Sequence, residues 1–224
     1  MAHVIRTIKR PDPALVEAIA RFTPATLHEA QGRRGALASK IKPIYPGMTV
    51  CGPALTIKSH PGDNCMLQLG ISLAKPGDVL VFATDDSNEQ GCFGEVLGTW
   101  AMSRGVAGLV TDSGVRDGPA LNKKGFPVFS PGLCIKGTVK ESLGTINKPI
   151  SFAGEIINPG DIIVGDDDGL VVVRPSEAAA VAKSSQERDD IEAKFMASYG
   201  EGADHLALTG LDKILEAKGI TYED

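Results

Sequence analysis

The stretch Gly77–Asp117 constrains the fold more than any other part of the chain. A short β-branched and aliphatic run, Asp78–Ala83, follows Pro76-Gly77 and reads as a strand. After a long loop, Val96, Leu97, Trp100 and Ala101 recur at helical spacing behind Gly94-Glu95, and Gly105 closes that helix. Val106–Val110 is a second apolar strand. Strand, helix, strand in this order is a βαβ crossover between parallel strands. It carries the helix N-terminus and the loop Arg116-Asp117 to the carboxyl edge of the sheet, where open α/β sheets bind ligands. Glu95 and Arg116-Asp117 are therefore expected to be neighbours, although twenty residues lie between them.

These residue types suit one kind of chemistry. Asp117 is a hard oxygen ligand for Mg²⁺ or Mn²⁺, cations that keep several waters and need few protein ligands. Arg116 offers a planar fork to a carboxylate or a developing enolate oxygen. The free N–H groups of Gly94, Glu95, Val96 and Leu97 can hold a small carboxylate at the positive end of the helix. Together they describe a pocket for an α-keto acid with a divalent metal. The competing reading of Arg116-Asp117 is a charged surface turn with a local salt bridge.

The spacing Gly94-Glu95, twenty residues, Arg116-Asp117 resembles the signature of the class II pyruvate aldolases, the 4-hydroxy-4-methyl-2-oxoglutarate and 4-carboxy-4-hydroxy-2-oxoadipate aldolases. That family is related to the regulator-of-ribonuclease-activity proteins. The blocks Thr26–Arg33, Pro61–Asn64, Gly137–Glu141, Asn158–Asp161 and Asp166–Gly169 are similar as well, so the resemblance spans roughly residues 20–195. It implies an α/β fold of the ribonuclease-regulator-like, swivelling β/β/α type. A single catalytic domain would occupy residues 1–200, and a helical arm at a subunit interface residues 201–224. It implies Mg²⁺ or Mn²⁺ at Asp117, a hydroxy-keto acid substrate, and retro-aldol cleavage to pyruvate in aromatic-acid catabolism. It also suggests Asn64 at the pocket border and Lys140 for a distal carboxylate. Glu29 would stand at the subunit boundary, and Glu192 would be donated by a neighbouring subunit. The ribonuclease-regulator relatives keep a second function open: a protein-binding module without catalysis.

Each of those residues has a plainer reading. Thr26 as N-cap with Glu29 three residues on forms a capping box. Asp63 or Asn64 can cap a helix over Cys65–Ala74. Lys140 can be a solvated surface lysine, and Glu192 can pair with Arg188 one turn earlier. Asp166–Gly169 lacks the spacing of a calcium loop and reads as a hairpin turn between Ile162–Val164 and Leu170–Val173.

The rest of the chain supports one large α/β unit. Helices are expected over Pro13–Arg21, stopping near Pro24, and over Thr26–Gln31. Strands are expected near Ile44-Tyr45 and over Thr49–Ile57. A second crossover runs through Pro119–Lys124 to Gly125–Phe129, and β-structure follows over 133–173. A polar helix, Glu177–Ser198 behind Ser176, has Val181, Ile191 and Phe195 as its main large apolar residues; the last helix covers Leu211–Ala217. Such a polar helix lies on an outer face or reaches across to another subunit, so a homo-oligomer is expected, trimer or hexamer left open. The net charge of −5 gives no footprint for nucleic acid or acidic membranes, and no run of 18 apolar residues offers a membrane span. The opening residues contain no apolar signal-peptide core. Four scattered cysteines without a CxxC pair fit a reducing, cytoplasmic setting.

Overall fold

The computed structural model describes residues 2–85 and 89–223. Four strands, Val50–Lys58, Val79–Ala83, Gly108–Thr111 and Val128–Ser130, lie parallel and side by side in chain order. Helices Cys65–Leu73, Glu95–Ser103 and Gly118–Lys124 make the three crossovers. Side chains alternate along the strands. Leu55, Ile57, Leu80, Phe82 and Leu109 pack with Leu67, Ile71, Phe93, Ala101 and Leu121 of the helical layer. Ala54, Val79, Val81, Ala83 and Val110 point the other way, onto Ile150, Phe152, Ile163, Leu170 and Val172. Covering both faces explains why Val79–Ala83 is an unbroken apolar run, all of it buried. Cutting Leu80 to Ala would cost roughly 2–5 kcal/mol, the usual range for a filled core site.

The strand Val50–Lys58 belongs to two sheets. Its first half pairs antiparallel with Ile162–Asp166, and its second half pairs parallel with Val79–Ala83. Pro53, which has no N–H to donate, sits where the partner changes. Gly52 allows the Gly77 carbonyl to approach where a Cβ would collide with it. Ile162–Asp166 and Gly169–Val173 form the expected hairpin, turning through Asp167-Asp168. Helices Pro13–Ile19 and Pro24–Ala30 cover it through Ile19 and Leu27, together with Ala178 and Val181 of the long helix.

Four expectations need correction. Pro24 begins the second helix instead of stopping the first: Thr23 is the N-cap and Thr26 donates its N–H to the Thr23 hydroxyl at 3.2 Å, so Glu29 closes no capping box. Proline is well suited to the first helical position, where its missing N–H is not needed. The long helix runs Ala178–Gly200 with Glu177, not Ser176, at the N-cap. Residues 133–144 are irregular, and strands resume only at Thr145–Ile146. A short helix, His205–Thr209, precedes the expected Leu211–Ala217. Beyond Ser185 the long helix buries none of its residues. Among the described residues, no helix is long and apolar enough to cross a membrane.

Candidate active site

Gly94 caps the helix Glu95–Ser103 in extended backbone and has no side chain to satisfy the first-turn N–H groups. Asp117 satisfies one of them from across the sheet edge: its Oδ2 accepts the Glu95 N–H at 3.0 Å. Asp117 itself lies in the left-handed region, φ 56° and ψ 32°, at the N-cap of Gly118–Lys124, whose N–H groups its side chain leaves alone. Aspartate is among the few residues that tolerate this conformation, at a cost of roughly 1–3 kcal/mol. A Cβ at Gly94 would collide with the Asp117 carboxylate, so glycine there is a condition of the contact. Arg116 is fixed by its backbone, which donates to the Phe93 carbonyl at 2.8 Å. Its guanidinium is half-exposed, with Nε 3.8 Å from Asp117 Oδ2.

A cleft of about 370 Å³ opens beside this pair, lined among others by Asn64, Gly94, Val96, Leu97, Arg116, Asp117 and Lys140. Seven of the residues expected at the site therefore meet in one place. Asn64 is buried, donating through Nδ2 to the Cys92 carbonyl at 2.9 Å and accepting from Gln68 Nε2 at 3.1 Å. Lys140 makes no ion pair among the described residues, which leaves its charge available to the cleft. Gln68 and Thr138 also line it. Neither carries a motif; only the one-turn spacing of Gln68 from Asn64 could have marked the first. A larger, more apolar hollow of about 790 Å³, with Leu133, Ile135 and Pro119, adjoins the other side of Arg116-Asp117.

Asp63, beside Asn64, and Asp112, four residues before Arg116, are buried carboxylates. Burial alone would raise the pKa of Asp63, but N–H bonds from Cys65, Glu141 and Ser142 outweigh it and hold that carboxyl below its ordinary range. For Asp112 burial wins and its pKa is raised, against hydrogen bonds from the Thr84 backbone and hydroxyl. Asp112 thereby ties the end of one parallel strand to the loop after its neighbour.

The three glutamates behave differently from the rest. The Glu95 carboxylate turns toward Lys124, 3.4 Å away, and is half-exposed; only its backbone N–H joins the Asp117 contact. Glu29 and Glu192 come together elsewhere, on either side of Arg188. Glu192 lies 2.9 Å from Arg188 Nε and Glu29 3.8 Å from Arg188 Nη1, while Arg33 Nε donates to Glu29 at 3.1 Å. The Arg33 hydrogen bond is the main reason the Glu29 pKa is lowered. Neither glutamate lines the cleft of its own chain.

The donor set suits a hard divalent cation. Asp117 keeps Oδ1 without a hydrogen bond among the described residues, and the residue lines the open cleft. No cluster of three His, Cys, Asp or Glu side chains occurs among the described residues. A cation of the Mg²⁺ type, which takes one or two carboxylates and retains water, matches such a sparse site.

The sequence profile of the RraA-like family, Aldolase/RraA, matches residues 13–172. A protein of Halalkalibacterium halodurans described as a candidate 4-hydroxy-4-methyl-2-oxoglutarate aldolase is 36% identical over 159 residues, covering 70% of this chain and 76% of that one. The structure of Streptomyces coelicolor RraAS2, an unusual member of the RNase ES inhibitor RraA protein family, is 31% identical and matches with a TM-score of 0.76 over 85% of this chain and 99% of its own. An uncharacterized protein of Pseudomonas syringae pv. tomato shares the fold with a TM-score of 0.78 at 23% identity, over 88% of this chain and 97% of that one. The profile match includes every cleft residue and ends before the long helix that carries Glu192.

Proposed function

The chain belongs to the RraA-like aldolase family, and on that premise we propose that it cleaves 4-hydroxy-2-oxo di- and tricarboxylic acids to release pyruvate. The expected substrates are 4-carboxy-4-hydroxy-2-oxoadipate, giving pyruvate and oxaloacetate, and 4-hydroxy-4-methyl-2-oxoglutarate, giving two pyruvates. The observation that carries the reading is the convergence of Arg116, Asp117 and the Val96 and Leu97 end of a helix N-terminus on a cleft that also holds Lys140.

In this reading the first-turn N–H groups of Val96 and Leu97 bind the pyruvoyl carboxylate, and Arg116 binds the C2 oxygen. Lys140 meets the distal carboxylate. A carboxylate base takes the proton of the C4 hydroxyl, and the C3–C4 bonding pair passes through C2 onto its oxygen. The second carbonyl departs, and the pyruvate enolate is held by Arg116, whose charge is already aimed at the oxygen where charge develops. A proton returned to C3 completes pyruvate. Mg²⁺ or Mn²⁺ bound at Asp117 would supply Lewis-acid charge at the keto-acid end. For the base, Glu95 is the candidate within the chain, though paired with Lys124. The partner's Glu192 and the partner's Glu29 are the candidates in a trimer or hexamer. Decarboxylation of oxaloacetate passes through the same enolate and is expected as a side activity, with aromatic-acid catabolism in the cytoplasm as the setting.

The test is pyruvate release from both acids by the purified chain, with and without Mg²⁺. The likeness to RraAS2 keeps the alternative of a ribonuclease-binding module without catalysis. Stable capture of a ribonuclease, with no pyruvate from either acid, would establish that alternative instead.

A further inference from the structure

One wall of the cleft, residues 131–143, contains neither helix nor strand. Its large apolar side chains turn outward: Leu133, Val139 and Leu143 are at least half-exposed, and Ile135 is 93% exposed. Apolar burial therefore cannot hold it, and hydrogen bonds must. Cys134 donates to the Val115 carbonyl at 2.7 Å, and Gly91 donates to the Lys136 carbonyl at 2.8 Å. Val139 exchanges bonds with the loop before helix Cys65–Leu73, donating to Gly62 O at 3.0 Å and accepting from Asn64 N at 3.3 Å. The fastening beyond Lys140 is a side chain. Asp63 Oδ2 accepts the N–H groups of both Glu141 and Ser142 at 2.6 Å, while its Oδ1 accepts Cys65 N–H at 2.8 Å.

We propose that Asp63 is a positioning residue that holds the Gly137–Ser142 wall so that Lys140 meets the distal carboxylate of the substrate; this rests on the aldolase reading above. Lys140 stands between the two fastenings, Val139 on one side and Glu141-Ser142 on the other. Asp63 is 1% exposed, so no solvent competes for its oxygens. The same carboxylate secures the helix that carries Asn64 at its N-cap and Gln68 in its first turn, so it couples opposite sides of the cleft in one group. Asparagine at this place would keep the shape but must turn an NH₂ toward at least one backbone donor. Because Lys140 touches a part of the substrate that does not react, losing its position should weaken binding more than turnover.

The experiment compares Asp63→Asn, Lys140→Ala and the double variant with wild type on a pair of 4-hydroxy-2-oxo acids, one with and one without a distal carboxylate. Asp63→Asn should lower the wild-type preference for the dicarboxylate, read as the ratio of KM values, by about tenfold, the scale of one charge-assisted hydrogen bond. Adding Asp63→Asn to Lys140→Ala should lower that ratio no further. Amide hydrogen exchange across 138–142 should quicken in Asp63→Asn. An equal rise in KM for both acids, or full additivity with Lys140→Ala, overturns the proposal. So does unchanged exchange. Should Asp63→Asn fail to fold, Ser142→Pro removes one donor and leaves the bond to Cys65 intact; an unaltered ratio there is equally fatal. A wild-type chain that releases pyruvate from neither acid overturns the aldolase reading and the Lys140 half with it, while exchange still decides whether Asp63 holds the wall.

Discussion

At the sheet edge, Asp117 is held by its own left-handed backbone, by the Glu95 N–H and by the empty place at Gly94. On the long helix, Glu192 is held by Arg188, one turn earlier, and by no other ion pair among the described residues. Arg116 and Asp117 lie in the loop after a parallel strand, Gly108–Thr111, that is wholly buried, and bonds to the backbone of Phe93 and Glu95 fix them there. Glu29 and Glu192 project from helix surfaces into ion pairs of the kind that solvent and salt weaken. The first region is pre-organised within one chain. The second carries the right charges, but neither Glu29 nor Glu192 lines the cleft of the first. If the two act together, a second copy of the chain has to bring them together.

The largest expected effect separates the regions outright. Chelation with EDTA should abolish pyruvate release and Mg²⁺ or Mn²⁺ should restore it, while borohydride with pyruvate present should leave the enzyme unharmed. A trapped pyruvyl-lysine adduct would remove Asp117 from the chemistry and collapse the contrast. Next in size is Arg116→Lys, which keeps the charge and loses the fork. It should lower kcat by about 10² or more, the scale of a lost oxyanion donor, with Tm almost unmoved because the side chain is half-exposed. A variant that changes only KM would assign Arg116 to ground-state binding.

Complementation asks whether the second region belongs to the first. Asp117→Ala and Glu192→Ala should each be nearly inactive. Co-refolded in equal amounts, about one site in four would join an intact Asp117 to the partner's intact Glu192, by random pairing in a closed ring. Activity should return to at most roughly a quarter of wild type on the same counting. Full activity in Glu192→Ala alone would reduce the patch to surface charge, and no recovery in verified mixed oligomers would confine Glu192 to its own chain.

The same contrast governs what could be read from the residues. The adjacency of Glu95 and Arg116-Asp117 was legible because a crossover fixes which ends of its elements meet, whatever the loops do. The hairpin at Asp166–Gly169 was legible because apolar runs flank a short polar turn. Pro24 was misread because proline both ends helices and suits their first position, and local sequence does not decide between the two. Residues 133–144 were misread as β-structure because Leu133, Ile135 and Val139 suggest strands; all three are at least half-exposed, and no sheet face covers them among the described residues. The turn of the Glu95 carboxylate toward Lys124 depends on a helix that begins 23 residues later. Asp63 was legible as a cap on Cys65, but its bonds to Glu141 and Ser142 span 78 and 79 residues, and no periodicity reports them.

The smallest expected effect compares how the two regions hold their carboxylates. Asp63 and Glu29 both have lowered pKa values, the first through backbone N–H bonds that outweigh burial, the second chiefly through Arg33. For a carboxyl whose folded pKa is depressed, the stabilisation is fully present above the unfolded value of about 4 and is lost as pH falls through the folded one. At neutral pH, Asp63→Asn should therefore lower Tm, and the deficit should persist in high salt because its partners are buried backbone donors. The deficit should shrink as pH falls below about 4, where the unfolded chain takes up the proton, and vanish once pH passes the lower folded value of Asp63. Glu29→Gln should move Tm slightly at low ionic strength and hardly at all near 1 M salt, where the Debye length shrinks to about 3 Å, comparable with the separation of this exposed pair. Thermal melts of the three proteins at neutral and acid pH, each at two salt concentrations, read this directly. A Glu29→Gln deficit as salt-resistant as that of Asp63→Asn would mean the helix patch is built into the fold as firmly as the cleft, and the division between the two regions would not hold.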